Sequence, residues 1–378
     1  MERRSFGATG VRPTVFTLGT MRFLHGWDDP DDHLPEDSLA NAHDIIHAAL
    51  GMGINHIETA RSYGKSERLI GKVLSLMKPP RSPLILTSKG QPTETAGEMR
   101  RQLENSLERL GVDRLDLYAL HGLNNRMRAD LALRPGGCLA ALQRARDEGL
   151  IGAIGFSSHA PLPLLLELIA TGEFAFVNLH YNFFRQENRA AVALAASREM
   201  GVFIISPNEK GGWLYQPSPQ LEKECHPLHP VHFNERWLLS QPEVHTLSIG
   251  PSLAQHLDRH RPSLEKRPYW GNAERRIQTR LNLALSGSPL DRCGPCNRCL
   301  PCPVRIDIPN VLRLEHLAQT LRMEEFGRFR YGMMSPDDHW IPGARGNLCD
   351  HCGDCLPRCP QELPIPELVH RAHDRFQR

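Results

Sequence analysis

From residue 15 to about residue 260 the chain alternates short apolar runs with stretches of helical period. The apolar runs predict strands over Val15–Leu18, His56–Ala60, Leu84–Ser88, Leu115–Leu120, Ile151–Phe156, Phe176–Leu179, Phe203–Ser206 and Thr246–Ile249. Between them lie amphipathic stretches. In Glu98–Leu110 the side chains of Leu103, Leu107 and Leu110 share one face ahead of Gly111, and in Ala40–Leu50 the residues Ile45, Ile46 and Ala49 do so ahead of Gly51. Eight βα repeats over some 250 residues predict an α/β fold, a (β/α)8 barrel of the TIM type. An open doubly wound sheet gives the same alternation, because periodicity does not register closure. The runs His25–Ser38 and Asn124–Gly137 are too polar or turn-rich to continue a helix. Both follow strands, so in a barrel they would overhang its catalytic face.

The repeat stops near residue 260. The pattern predicts a barrel domain over 1–265, a linker over 266–290 carrying one helix, and a second domain over 291–378. Its helices are expected at Ile308–Leu321, Met323–Phe329 and Ile365–Arg375, so that domain reads as mainly α-helical.

Composition adds little to the fold and more to the setting. With 40% hydrophobic and 23% charged residues among 378, the chain has ordinary globular composition and enough apolar content for a core. A net charge of +2 gives no reason to expect nucleic acid or an anionic membrane as partner. No apolar stretch reaches the ~18 residues of a membrane span, and the opening MERRSFGATGVRP lacks the apolar core of a secretory signal.

The cysteines change the picture most. Eight of the ten fall after residue 292, as Cys293-x2-Cys296-x2-Cys299-x2-Cys302-Pro303 and Cys349-x2-Cys352-x2-Cys355-x3-Cys359-Pro360. Three-residue strides followed by a cysteine before proline suit iron–sulfur clusters, whose fourth ligand comes from the other run in two-cluster ferredoxins. That rule predicts two [4Fe–4S] clusters, one on Cys293, Cys296, Cys299 and Cys359, the other on Cys349, Cys352, Cys355 and Cys302. Structural zinc also takes four cysteines, but usually as two knuckles with a longer spacer between them. Disulfides would strain neighbours at this stride. Helices between the runs resemble the α-helical ferredoxins more than the small β-rich ones. Cysteine use of this kind predicts a reducing, cytoplasmic compartment. Cys138 and Cys225 stand alone and read as small buried hydrophobes.

The ends of the predicted strands carry a second set of chemistry. The second strand leads into Glu58-Thr59-Ala60-Arg61-Ser62-Tyr63-Gly64, the third ends in Ser88-Lys89, and the fourth in Tyr118-Ala119-Leu120-His121. In a barrel these ends share one mouth. A carboxylate, a phenol, an amine and an imidazole converging there can protonate a carbonyl. Tyr63 would give the proton, and Lys89, anchored by Glu58, would lower the phenol pKa from its free value of ~10. His121 would hydrogen-bond the substrate oxygen. A lone polar residue at a strand end is more often structural than catalytic; four in one mouth favour catalysis. His159 and His180 read as surface or packing residues, and Gly211-Gly212 as a turn or a close approach to a phosphate.

At this point the chain resembles a known family. Gly53-Ile54-Asn55-His56-Ile57-Glu58-Thr59-Ala60-x2-Tyr63-Gly64-x2-Glu67-x3-Gly71 looks like the signature of the aldo-keto reductases. Lys89, Asp116-Leu117-Tyr118-x2-His121, Ile154-Gly155-Phe156-Ser157, Val177-Asn178-x2-Tyr181-Asn182 and Ser206-Pro207 follow in family order. The likeness covers roughly residues 1–260, and with the cysteine tail the chain resembles an iron–sulfur branch of the family with a two-cluster ferredoxin-like domain. The resemblance implies a catalytic tetrad of Glu58, Tyr63, Lys89 and His121. It also implies NADP(H) held through Ser157, Ser158, Asn178, Ser206, Gly250, Ser252 and Gln255. The sequence departs from the family at five positions. Glu58 replaces an aspartate, Ser158 an asparagine, Ile205 an aromatic residue, and His256 and His260 stand where Gln and Asn are common. The expected function is an NADP(H)-dependent oxidoreductase. It would act on a small carbonyl or alcohol, or exchange electrons through its clusters with a ferredoxin-like or flavoprotein partner. The alternative is an electron-transfer or redox-sensing protein whose barrel binds a nucleotide or partner without carbonyl reduction. The tension between the two is chemical: hydride transfer needs no cluster, clusters pass single electrons, and no flavin motif joins them.

Overall fold

The structure, a computed structural model, describes all residues except 26–32, 266–267, 289–292, 339 and 378. Part of the predicted His25–Ser38 loop therefore lies outside the described residues. Eight parallel strands close on themselves: β1 (Phe16–Gly19), β2 (His56–Glu58), β3 (Ile85–Gly90), β4 (Leu115–Leu120), β5 (Ile151–Ser157), β6 (Phe176–Leu179), β7 (Gly201–Ile204) and β8 (Thr246–Ile249). Each pairs with the next, and Phe16 of β1 faces Leu247 of β8, which closes the barrel and removes the open-sheet alternative. The helices of the barrel are α1 (Glu36–Gly51), α2 (Ser66–Met77), α3 (Ala96–Leu110), α4 (Arg126–Leu133), α5 (Cys138–Asp147), α6 (Leu162–Ala170) and α7 (Arg189–Ser197).

Apolar side chains fill the lower barrel. Phe6, Ile85, Leu117, Ala119, Ala153, Phe176 and Phe203 form one buried cluster. Gly155 makes room for it, since a Cβ there would stand 2.5 Å from the Phe176 ring. A polar belt crosses the same interior. His56 on β2 hydrogen-bonds Thr17 through Nδ1 and Thr87 through Nε2, both at 2.7 Å, and Thr17 continues to Thr246 at 2.7 Å. Burial, then the charge of Lys89, pushes the His56 pKa down to about 3, so the ring is neutral.

Several local readings change. The stretch Asn124–Gly137 holds α4, because the Asn125 side chain caps it by accepting from the Arg128 amide at 3.0 Å. Gly51 lies inside α1, and the left-handed turn falls on Gly53 (φ 83°). β7 ends at Ile204, before Ser206, whose φ of 47° takes the chain out of the strand.

The chain divides into two compact units, Met1–Pro207 with Leu238–Lys266, and Asn208–Trp237 with Arg267–Arg378. The second unit contains α8 (Pro219–Cys225), most of α9 (Pro230–Leu239), α10 (Asn272–Leu285), α11 (Ile308–Leu321), α12 (Glu324–Gly332) and α13 (Ile365–Gln377). Its core ties α11 to α13 through buried Glu315, which accepts a hydrogen bond from Arg371 at 3.2 Å and forms an ion pair with Arg375 at 2.8 Å. No described helix is long and apolar enough to cross a membrane.

Candidate active site

Parallel pairing aligns the ends of β2, β3 and β4. Glu58 sits opposite Thr87, and Lys89 opposite Ala119, so the residues following each strand emerge at the same end. Glu58 and Lys89 are almost fully buried, and their side chains form an ion pair. Lys89 Nζ also donates to the Thr59 carbonyl at 2.8 Å and lies 4.8 Å from the centroid of the Tyr63 ring. His121 meets that ring edge-on, with centroids 5.6 Å apart, and its Nδ1 is hydrogen-bonded to the Ser62 hydroxyl at 3.0 Å. The four side chains read from the strand ends thus share one site.

The loop that presents Tyr63 is short and heavily bonded. The Thr59 amide donates to Thr87 O and the Arg61 amide to Lys89 O, both at 2.9 Å, while the Tyr63 amide closes a turn onto Ala60 O at 3.0 Å. Ser66 then joins Thr59 and Thr20 through its hydroxyl at 2.9 and 2.7 Å.

Electrostatics modify one expectation. Burial pulls the Lys89 pKa well below the usual lysine range, and burial pushes the Tyr63 phenol upward rather than down. Burial is the cause of both shifts. The phenol is therefore protonated at neutral pH, as a proton donor must be.

The residues linked to a coenzyme by resemblance behave differently from one another. Among the described residues Asn178 is fully buried with neither amide atom hydrogen-bonded. Ser157 accepts from the Gly122 amide at 2.9 Å; Ser158 donates to Leu123 O at 2.7 Å and accepts from the Ala160 amide at 3.0 Å. Both serine hydroxyls thus brace the β4 and β5 ends. Ser206 sits in the left-handed region, Ser252 hydrogen-bonds His256 Nδ1 at 3.4 Å beyond Gly250, and Gln255 is exposed. Two groupings escaped the sequence reading. His256 is surrounded by charge, its pKa lowered by burial and then by Arg259, Arg22 and His260. His180 donates or accepts between Ile205 O (3.1 Å) and His159 Nδ1 (2.7 Å). Since a carbonyl only accepts, His180 carries its proton on Nδ1 and His159 donates to His180 Nε2. Adjacent positions after β5 and β6 were the available signal for that pair.

In the second unit the cysteines fall into two neighbourhoods. Cys302, Cys349, Cys352 and Cys355 line one pocket, together with Ile306 and Val369. Cys355 has its thiol pushed up by burial and then by Cys349, Cys352 and Cys302. Cys293 is raised to about 11 by burial and then by Cys296 and Cys359, and Cys299 to about 12 by burial and then by Cys293, with Cys296 and Cys355 adding to it. Among the described residues, no three or more His, Cys, Asp or Glu side chains are set to hold a single metal ion.

A closed parallel barrel with a buried acid–base set at the ends of its strands defines a (β/α)8 enzyme class whose members differ in their loops. The aldo/keto reductase family profile matches residues 16–267, and the chain belongs to that family. It is 29% identical to a 6-dehydroglucose reductase from Novosphingobium aromaticivorans, over 41% of this chain and 51% of that protein. It is 25% identical to an L-galactose dehydrogenase from Arabidopsis thaliana, over 61% of this chain and 71% of that one. The match thus spans about half the length of the first relative and more of the second. An aldo-keto reductase structure from Bacillus halodurans shares the fold at 20% identity, with a TM-score of 0.62 over 74% of this chain and 96% of that one.

Proposed function

We propose that the chain is an NADP(H)-dependent oxidoreductase that reduces a small carbonyl compound, or oxidises the matching alcohol, in its barrel over 1–265. The observation that carries this reading is the convergence of Glu58, Lys89, Tyr63 and His121 in one buried mouth. NADPH, when bound, supplies the hydride. Tyr63 holds its proton at the phenol oxygen and passes it to the carbonyl oxygen. The ammonium of Lys89 over the ring, kept in place by Glu58 and Thr59 O, stabilises the charge left on the phenol. His121, fixed by Ser62, orients the substrate oxygen.

This chain's residues fit the coenzyme at two points. The orphaned amide of Asn178 offers a donor and an acceptor to a carboxamide. The guanidinium groups of Arg22 and Arg259, gathered around His256, suit phosphate. The experiment is a Tyr63→Phe substitution assayed against a panel of aldehydes and sugar carbonyls. Turnover is expected to fall about 10²–10⁴-fold, with NADPH fluorescence still reporting coenzyme binding. A Tyr63→Phe protein that keeps full carbonyl reductase activity removes the assignment.

The same proposal includes two [4Fe–4S] clusters in a ferredoxin-like domain over 291–378. The pocket shared by Cys302, Cys349, Cys352 and Cys355, and the electrostatic influence of Cys359 on Cys293, support the crossed ligand sets that the spacing predicts. The clusters, when bound, hold and pass single electrons.

A further inference from the structure

The mouth contains a buried ion pair that the proposed reaction does not use. Arg109 on α3 and Glu67 on α2 meet at 3.0 Å (Nε to Oε2) with both side chains fully buried. Removing both charges from water is costly, and apolar residues of similar volume generally stabilise such a place as well or better. What distinguishes this pair is where its remaining bonds go. Arg109 Nη2 donates to the carbonyl of Gly64 at 2.7 Å, on the residue next to Tyr63. Glu67 Oε1 accepts from the Ser88 hydroxyl at 2.5 Å, on the residue next to Lys89. One carboxylate–guanidinium unit therefore spans the two chain segments whose side chains must face each other. Gly64 is a point where that hold matters. It turns through φ 52°, a left-handed conformation that leaves Tyr63 at the tip of a tight turn.

We infer that Glu67 and Arg109 are positioning residues that set the Tyr63 phenol against Lys89. The inference rests on Tyr63 being the proton donor, as proposed above. Ser88 is the third member of the unit, joining it to β3. The pair's charge is internally cancelled, so its effect on the mouth is geometric, through the Gly64 carbonyl and the Ser88 hydroxyl.

The test is a double substitution, Glu67→Met with Arg109→Met, which removes the bonds but retains volume and leaves no charge unpaired. Its thermal midpoint should stay near that of the parent, and NADPH should bind with unchanged affinity. Turnover of an activated aldehyde such as 4-nitrobenzaldehyde should fall at least tenfold, with the KM for the coenzyme unchanged. The Tyr63 ring resonance, assigned by its loss in Tyr63→Phe, should shift whether or not that aldehyde is turned over. Ser88→Ala, a milder break, should move turnover and resonance in the same direction by less. If the double variant fails to fold, Arg109→Lys replaces it: an ammonium keeps the charge but not the fork that reaches both Glu67 and Gly64. A folded variant with parental turnover and an unmoved Tyr63 resonance overturns the inference. Parental turnover in Tyr63→Phe overturns the underlying reading instead, so the two failures are separable.

Discussion

Burial governs the protonation of the barrel's interior residues. His56 lies in the barrel with both ring nitrogens hydrogen-bonded to threonines and its pKa lowered to about 3. The unfolded chain regains the ordinary value near 6.5, so between those limits it binds more protons than the folded state. This contribution to stability is present above pH 6.5 and is lost as pH falls toward 3, at up to roughly 1.4 kcal/mol per pH unit. Urea unfolding from pH 7 to pH 4.5 should show that slope, and a His56→Gln protein should show less of it; equal slopes would refute the assignment. His56 was legible as a strand residue, but its neutral state was not. That state follows from burial among strands that are distant in sequence, and from the charge of Lys89. Glu58, Tyr63, Lys89 and His121 were legible because each follows a recognisable apolar run. The upward shift of the Tyr63 phenol was not legible, because a sequence carries charges but not their depth.

At the scale of elements, caps and turns set the boundaries that periodicity left loose. The α3 helix begins two residues before the apolar pattern suggests, because Thr95 and Glu98 form a capping box with bonds of 3.2 and 3.1 Å. Replacing Thr95 by Ala should cost about 1 kcal/mol in denaturant unfolding, and because α3 also carries Arg109, that loss reaches the helix that steadies the mouth. A change below a few tenths of a kcal/mol would mean that solvent replaces the cap. The predicted loop over Asn124–Gly137 hid α4, whose apolar face is weak and whose cap, Asn125, is a turn residue as readily as a helix start. All eight strands were found, because an interior strand must be apolar along most of its length to be buried.

At the scale of the whole chain, the four polar residues of the strand ends and the eight clustered cysteines fall in two different compact units of one polypeptide. The cysteine runs imply crossed ligation, and this gives a specific expectation for the proposed clusters. In anaerobically reconstituted protein, Cys359→Ser should disturb the cluster on Cys293, Cys296 and Cys299 and spare the one next to Cys302. Iron content should fall by up to half, and one of two cluster signals should be lost from the reduced spectrum. Loss of the signal belonging to Cys349, Cys352 and Cys355 instead would show that each run completes its own site. Segment 208–237 lies between β7 and β8 in sequence yet groups with the tail, something a linear change in composition does not register.

By itself the sequence determined the βα alternation, the identity of the four polar residues at the strand ends and the two cysteine runs. These are local properties: burial demands apolar runs, and the strides between cysteines are short enough to be read within a dozen residues. Tertiary structure alone decided that the sheet closes, that His56 is neutral, and that Asn178 is left with an unsatisfied amide. It also decided that Glu67 and Arg109 meet between Gly64 and Ser88. Each of these depends on distances between residues far apart in the chain, and on how completely water is excluded from the space between them.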